Sequence, residues 1–201
     1  MTVTSPELDP RTSALLVLDL QQGVLASLPG PEEQEALLSR VADAAAAMRA
    51  HGAAVVHVRL GFTEADWAAI PAANPTFSLI GRGRLLHHED PGTDFHRRVA
   101  PEPGDLVVRK TRVGALSTTD LDRRLRERGI TTLVVAGLTT SGAVLSTVAD
   151  AADRDYRLHV LSDGVADPDP HLHRTLMTGV FPRTAHVVGT AGLHSLLRES
   201  R

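Results

Sequence analysis

The chain has 201 residues, of which 42% are hydrophobic and 22% charged, with a formal net charge of −3. These values are typical of a globular protein that buries its own core, and they exclude a basic nucleic-acid-binding surface. The sequence contains no cysteine, which excludes disulfides, thiolate catalysis and cysteine-bound metals.

Short apolar runs alternate with amphipathic stretches along the chain, and we interpret the apolar runs as strands. The predicted strands are residues 14–19, 53–59, 106–110, 131–136, 157–162 and 185–188. The predicted helices are residues 31–51, 120–128, 141–154, 170–180 and 190–198. This order predicts one doubly wound, Rossmann-like α/β domain over residues 1–201, with a mostly parallel six-stranded sheet and helices on both faces.

Residues 61–103 depart from the alternation of strands and helices. This arm is rich in Gly, Pro, Asn and His, and it contains Trp67, Ile70, Phe77 and Leu79, whose apolar side chains require burial. Long irregular segments of compact domains are often lids or partner-binding arms, and a plain surface excursion is the alternative.

The first and third predicted strands end in charged residues that are candidates for a functional site. Asp19 closes an apolar strand, where a carboxylate is costly to bury unless it is paired, and where burial raises its pKa toward proton transfer. Lys110 closes the third strand and is a candidate partner. Ligands of open α/β sheets bind beyond the carboxyl ends of the strands, so both are candidate site residues. A turn-capping Asp19 and a solvated Lys110 are the alternatives.

The fourth strand continues into the turn of residues 137–143, which reads GLTTSGA. Gly137 and Gly142 permit close backbone approach, and Thr140 and Ser141 supply hydroxyls. Backbone N–H groups at the start of the following helix can hold an anion or an oxyanion. Simple capping of that helix by Ser or Thr is the alternative.

These strand ends, in LLVLDLQQGV, VVRKTRVGAL and VVAGLTTSGAVL, resemble those of the isochorismatase-like hydrolase superfamily, over nearly the whole chain. The superfamily includes cysteine amidohydrolases such as nicotinamidases and N-carbamoylsarcosine amidase. In those members an Asp, a Lys and a Cys form the catalytic triad. The resemblance implies that Asp19 and Lys110 fill the first two places and that Ala143 occupies the cysteine slot.

True isochorismatases resemble this fold, carry a small residue in that slot and hydrolyse a vinyl ether. By resemblance, Asp19 would protonate the vinyl carbon, Lys110 would position the acid, and the turn amides would hold the substrate. A turn like G-V-Y-A-H-x-G is typical of those enzymes, so the substrate stays open here. A catalytically silent member that binds a small molecule or a partner protein is the alternative. The missing thiol disfavours a cysteine-type amidohydrolase. Neither Ser141 nor Ser146 points along the direction of the slot.

Further residues complete the predicted substrate-binding set. Gln21, two residues beyond Asp19, and Arg112, two beyond Lys110, should lie on the same side as the charged residues. The resemblance also implies a cis peptide between Leu138 and Thr139, which would aim the following amides into the site. The predicted substrate-binding residues are Gln21, Arg112, Thr139, Thr140, Ser141 and Gly142.

The ten histidines show no spacing that completes a metal site, so we expect no metal and no cofactor. His87, His88, His171 and His173 are interpreted as surface residues. The polar opening segment, MTVTSPELDPRTS, and the lack of a long apolar run predict a cytoplasmic protein with no membrane or nucleic-acid partner. The resemblance implies a small-molecule substrate and a homodimer or larger oligomer, with residues 61–80 and 180–183 as candidate contacts.

Overall fold

In the computed structural model, which describes residues 8–199, six strands form one parallel sheet in the order β3-β2-β1-β4-β5-β6. The strands are β1 (Ser13–Leu18), β2 (Ala54–Leu60), β3 (Leu106–Lys110), β4 (Thr132–Leu138), β5 (Arg157–Ala166) and β6 (His186–Val188). The predicted doubly wound α/β class is therefore confirmed, and every strand pair is parallel.

Eight α-helices accompany these strands within the described residues. They are α1 (Gln22–Leu25), α2 (Pro31–Ala50), α3 (Glu64–Ala68), α4 (Pro75–Gly83), α5 (Leu121–Arg126), α6 (Leu145–Asp153), α7 (Pro170–Thr175) and α8 (Thr190–Glu199). Two of the predicted helices are divided: π-helical turns occupy Thr140–Val144 before α6 and Leu176–Val180 after α7. No helix in this part of the chain is both long and apolar enough to cross a bilayer.

The core has two layers, one on each face of the sheet. Side chains of α5 and α6, such as Leu125 and Val148, pack on one face, and those of α2 and α8, such as Val41 and Leu193, pack on the other. Each residue of β1 and β4 is buried, because these central strands are covered from both sides. This explains why both strands are continuous apolar runs rather than alternating ones.

The arm of residues 61–103 contains more regular structure than its sequence predicts. Besides α3 and α4 it has two short 3-10 helices, and Phe62, Trp67 and Phe77 form a third hydrophobic cluster. Burial of Trp67 and Phe77 agrees with the prediction, but Leu79 is 62% exposed. The sequence signal for α3 and α4 is weak because both helices are short and stand among Gly and Pro residues.

Candidate active site

Asp19 and Lys110 meet at the carboxyl edge of the sheet. The Nζ atom of Lys110 lies 2.6 Å from Oδ2 of Asp19, and the two residues are 1% and 6% exposed, respectively. The same Nζ donates to the carbonyl oxygen of Val113 at 2.5 Å. The other carboxylate oxygen of Asp19, Oδ1, is buried and has no hydrogen-bond partner. One face of the acid is therefore held by the lysine, while the other keeps its hydrogen-bonding capacity.

Burial sets the protonation behaviour of this acid. Removal of the carboxyl group from water raises the pKa of Asp19 to about 6, and the nearby Lys110 ammonium offsets only part of that effect. A carboxyl group with such a pKa holds a proton in a useful fraction of molecules near neutral pH. It can therefore act as an acid and regenerate as a base.

The backbone around Asp19 is fixed by close approach of β1 to β4. Asp19 has a positive φ of 52° and its N–H donates to the carbonyl of Val58 at 2.9 Å. Opposite it, Gly137 has φ of 116°, and a Cβ there would stand 2.0 Å from the carbonyl oxygen of Leu18. Only glycine fits at position 137, because both its dihedral angle and its contact exclude a side chain.

The turn after β4 brings the predicted cysteine slot to the same region. The peptide between Leu138 and Thr139 is cis, as the resemblance implies, and Ala143 is buried in the π-helical turn that follows. One helical turn later, Oγ1 of Thr147 accepts from the N–H of Ala115 at 3.1 Å. This bond ties α6 to the loop that follows Lys110.

Two of the turn amides are already occupied. The N–H of Ser141 donates to Oδ2 of Asp167 at 2.7 Å, and the N–H of Gly142 donates to the carbonyl of Thr139 at 3.1 Å. The prediction that the Ser141 and Gly142 amides hold a ligand is therefore not supported by the geometry. Thr139 is half-buried and leaves its hydroxyl near Gly142.

Gln21 also differs from its predicted role. Its amide nitrogen donates to the carbonyls of Leu60 and Thr93, both at 2.8 Å, and its oxygen accepts from the N–H of Leu60 at 2.8 Å. The side chain is fully buried and joins β1, β2 and the arm. Because these backbone groups already engage the amide at both ends, the structure gives Gln21 a structural role rather than a place among the ligand-binding groups.

Arg112 lies in the loop after Lys110 and is half-buried. Its guanidinium carbon is 5.3 Å from the ring centroid of Phe77, and Nη1 donates to the carbonyl of Thr111 at 2.6 Å. Within residues 8–199 it forms no ion pair with a carboxylate. It therefore offers an unneutralised positive charge between the lysine loop and the arm.

Sequence reasoning missed His173 and Asp167 as neighbours of the turn. His173 Nδ1 lies 2.9 Å from Oγ1 of Thr140, and Thr140 is fully buried. His171 is exposed as predicted, but His173 is half-buried. The available signal was Asp169, the N-cap of α7, which places position 173 one turn into the helix.

Three ligand-type side chains of the arm, His87, His88 and Glu89, also stand close together. One candidate ligand atom from each lies within 4.8 Å of the others, and the companion carboxylate of the two histidines is the residue that directly follows them in the chain. His87 also packs against Trp67, with ring centroids 5.5 Å apart. Glu89 is exposed, and the ring of His87 also contacts that of His88, with centroids 4.7 Å apart.

Comparisons with known proteins match this chain along most of its length. Residues 13–192 match the family described as Isochorismatase domain. An uncharacterised isochorismatase family protein, YecD, from Escherichia coli O157:H7 is 30% identical over 90% of this chain and 94% of its own. The ureidoacrylate amidohydrolase RutB from Methylobacterium radiotolerans is 30% identical over 94% of this chain and 81% of its own. The solved structure of an isochorismatase family protein from Burkholderia thailandensis superposes with a TM-score of 0.81, at 30% identity, and covers 96% of this chain and 98% of that one.

Proposed function

This chain belongs to the isochorismatase family, and from that premise we propose that it is a hydrolase of a small metabolite that uses Asp19 and Lys110 without a cysteine nucleophile. The observation that carries the proposal is the buried 2.6 Å contact between these two side chains, in a chain that by resemblance has alanine at position 143 in place of the family cysteine. An acid and an ammonium group in contact can still move a proton when no thiol is present.

Vinyl-ether hydrolysis fits this arrangement. In its protonated form Asp19 would transfer its proton to the vinyl carbon, which places positive charge on the carbon bonded to the ether oxygen. Water adds to that carbon and gives up a proton, and the resulting hemiketal breaks its carbon–oxygen bond to yield a ketone and an alcohol. Lys110 stabilises the Asp19 carboxylate that the first step leaves behind.

Arg112 and the Thr139 hydroxyl are the candidate substrate-binding groups on the turn and the neighbouring loop. A guanidinium that has no carboxylate partner in the described structure favours a substrate that carries an acidic group. The named relatives include an enzyme whose stated activity is amide hydrolysis. Amide cleavage would require a direct attack by water here, because Ala143 offers no nucleophile.

A second candidate function is a catalytically silent binding protein. The specific observation that favours it is the near-complete burial of the charged pair, with Lys110 at 1% and Asp19 at 6% exposure, in a chain whose nucleophile slot holds alanine. In such a protein the pair would only hold the edges of β1 and β3 together. Ligand would then bind without being converted.

Turnover measurements on wild type and Asp19→Asn distinguish the two functions. We would screen vinyl ethers, amides and esters that bear a carboxylate, with Asp120→Asn as the matched control, since Asp120 forms an exposed ion pair with Arg123 on α5. The hydrolase proposal predicts turnover that Asp19→Asn abolishes and Asp120→Asn retains. Ligand binding by wild type without turnover in any class would establish the silent alternative.

A homodimer or larger oligomer in the cytoplasm remains a prediction. Leu79 of the arm is 62% exposed and Val180 is 38% exposed, so each predicted contact segment presents one apolar side chain. Phe181, by contrast, is buried in the core and is removed from the proposed contact. Light scattering at micromolar concentration measures the oligomeric state, and a monomer would contradict the prediction.

A further inference from the structure

Two residues, Asp167 just after β5 and His173 within α7, hold the turn of residues 139–143 at two points. Nδ1 of His173 is 2.9 Å from Oγ1 of Thr140, and Oδ2 of Asp167 accepts from the N–H of Ser141 at 2.7 Å. These are consecutive residues of the turn, and they immediately precede the Gly142–Ala143 step. Two hydrogen bonds to adjacent residues fix both the position and the rotation of a short segment.

The two holding residues are themselves connected. The other oxygen of Asp167 accepts from the N–H of Asp169 at 3.1 Å, and Asp169 accepts from the first N–H groups of α7. The N–H of His173 donates to the carbonyl of Asp169 at 3.0 Å. One carboxylate therefore joins the turn to the start of the helix that carries His173.

The protonation state of His173 decides which group donates in its contact with Thr140. Burial lowers the pKa of His173, with a smaller opposite effect from Asp167. The neutral ring has one nitrogen free to accept, and with Nδ1 as that acceptor the Thr140 hydroxyl is the donor. Thr140 is fully buried, so its hydroxyl depends on this partner and has no access to bulk water.

The opposite side of the turn is held by the lysine loop. Thr147, one helical turn after Ala143, accepts from Ala115, and a Cβ at Gly114 would stand 2.9 Å from Oγ of Ser146. Position 143 is thus held between the segment of residues 167–173 and the loop that begins at Lys110. A shift of either support would change the distance from the turn to the acid pair.

We propose that His173 and Asp167 are positioning residues that fix the Thr140–Ala143 turn relative to Asp19 and Lys110. This inference rests on the proposed function for its catalytic consequence. The turn would hold the substrate at the acid, and small errors in such placement lower the rate of the chemical step more than they weaken binding. His173 acts through Thr140 and has no contact of its own with the reacting groups.

Conservative and disruptive variants separate positioning from general stability. In His173→Leu the ring volume is largely kept but the acceptor is lost, whereas in His173→Asn the side-chain oxygen can accept near the place of Nδ1. Thr140→Val removes the hydroxyl from the other side of the same bond. His171→Leu is the matched control, because His171 is exposed on the same helix.

Hydrogen–deuterium exchange of residues 138–147 tests the positioning role without requiring turnover. We expect the exchange rate there to rise about tenfold in His173→Leu and in Thr140→Val, because the loss of one hydrogen bond makes local opening about tenfold more frequent. The double variant His173→Leu, Thr140→Val should exchange about as fast as either single variant, because both substitutions remove the same hydrogen bond. His173→Asn and His171→Leu should remain close to wild type. Exchange in His173→Leu that matches wild type, or His173→Asn that behaves like His173→Leu, would overturn the proposal.

Kinetics with any substrate found in the screen then separates the two proposals. We expect kcat to fall about tenfold in His173→Leu with a much smaller change in KM, and to recover in His173→Asn. A loss confined to KM would contradict a positioning role. If wild type turns over no substrate, the hydrolase proposal fails while the exchange data still decide whether these residues hold the turn.

Discussion

Replacement of Lys110 by methionine should change how the stability of the protein depends on pH. In wild type the pKa of Asp19 is raised to about 6 by burial, against 3.8 for an ordinary aspartate. A raised carboxyl pKa favours folding at acid pH, and that contribution is lost as the pH rises through the folded-state pKa. Above the folded-state pKa, Asp19 is ionised in both the folded and the unfolded protein, so it no longer changes how the free energy of unfolding varies with pH.

Lys110→Met removes the ammonium group that lies 2.6 Å from the carboxylate and leaves the burial unchanged. The pKa of Asp19 in the folded protein must then rise further, because its main stabilising charge is gone. At each pH between the unfolded-state and the folded-state pKa of Asp19, the folded variant keeps its proton while the unfolded chain is ionised, and this range extends to higher pH than in wild type. Its free energy of unfolding should fall by about 1.4 kcal/mol for each pH unit.

Urea denaturation at pH 6.5, 7.5 and 8.5 measures this slope. The double variant Lys110→Met, Asp19→Asn retains every other titrating group and should return to the wild-type slope, so the comparison isolates residue 19. Asp19→Asn alone should be destabilised by about 3 kcal/mol, since it leaves the Lys110 ammonium buried without a counter-charge. A wild-type slope in Lys110→Met would refute the assignment of the pair as a coupled, buried acid and base.

Other predictions concern the slot, a buried histidine and the glycine beside Asp19. Ala143→Cys should confer burst-phase acylation by amide or ester substrates, detected by mass spectrometry, whereas Ser146→Cys, outside the slot, should not react in this way. His159 is buried with both ring nitrogens unpartnered, and burial lowers its pKa to about 4; its contribution to stability is lost as pH falls from about 6.5 toward 4. His159→Leu should therefore raise the free energy of unfolding by about 2 kcal/mol at pH 4.5, and a larger acid sensitivity than wild type would contradict this. Gly137→Ala should lower the free energy of unfolding, measured by urea denaturation, by about 3 kcal/mol or more, because the added Cβ would stand 2.0 Å from the Leu18 carbonyl oxygen. In the control variant Gly92→Ala the added Cβ has no atom within 4 Å, and the loss should be less than about 1 kcal/mol.

The parts of the fold set by local pattern were predictable. Continuous apolar runs in the sequence predict the buried strands, and the carboxyl ends of these runs predict that Asp19 and Lys110 share one edge of the sheet. That reasoning works because parallel strands with helical crossovers place all their carboxyl ends together. The 2.6 Å contact is a consequence of strand order, since β3 and β1 flank β2.

The partners of buried polar groups were not predictable in the same way. Gln21 bonds to residues 39 and 72 positions away, and His173 bonds to Thr140 across 33 positions. Neither pairing produces a periodic pattern in the sequence, because hydrogen bonds between distant segments depend on how the elements finally pack. The sequence of the π-helical turn before α6 likewise looks like that of an ordinary helix. The two differ only in their backbone hydrogen bonds, which join residues five apart in a π-helix and four apart in an α-helix.

The attachment of the arm limits where a small molecule can enter. Gln21 donates to the carbonyl of Thr93, and the N–H of His96 donates to the carbonyl of Leu20, so the stretch of the arm around residues 93–96 is fastened to the segment that follows β1. A rigid flap hinged at residues 61 and 103 would have to break all of these bonds before it opened. We therefore expect any opening toward the charged pair to form in the part of the arm that includes α4. The width of that opening depends on α4 and on Arg112, whose guanidinium packs on Phe77.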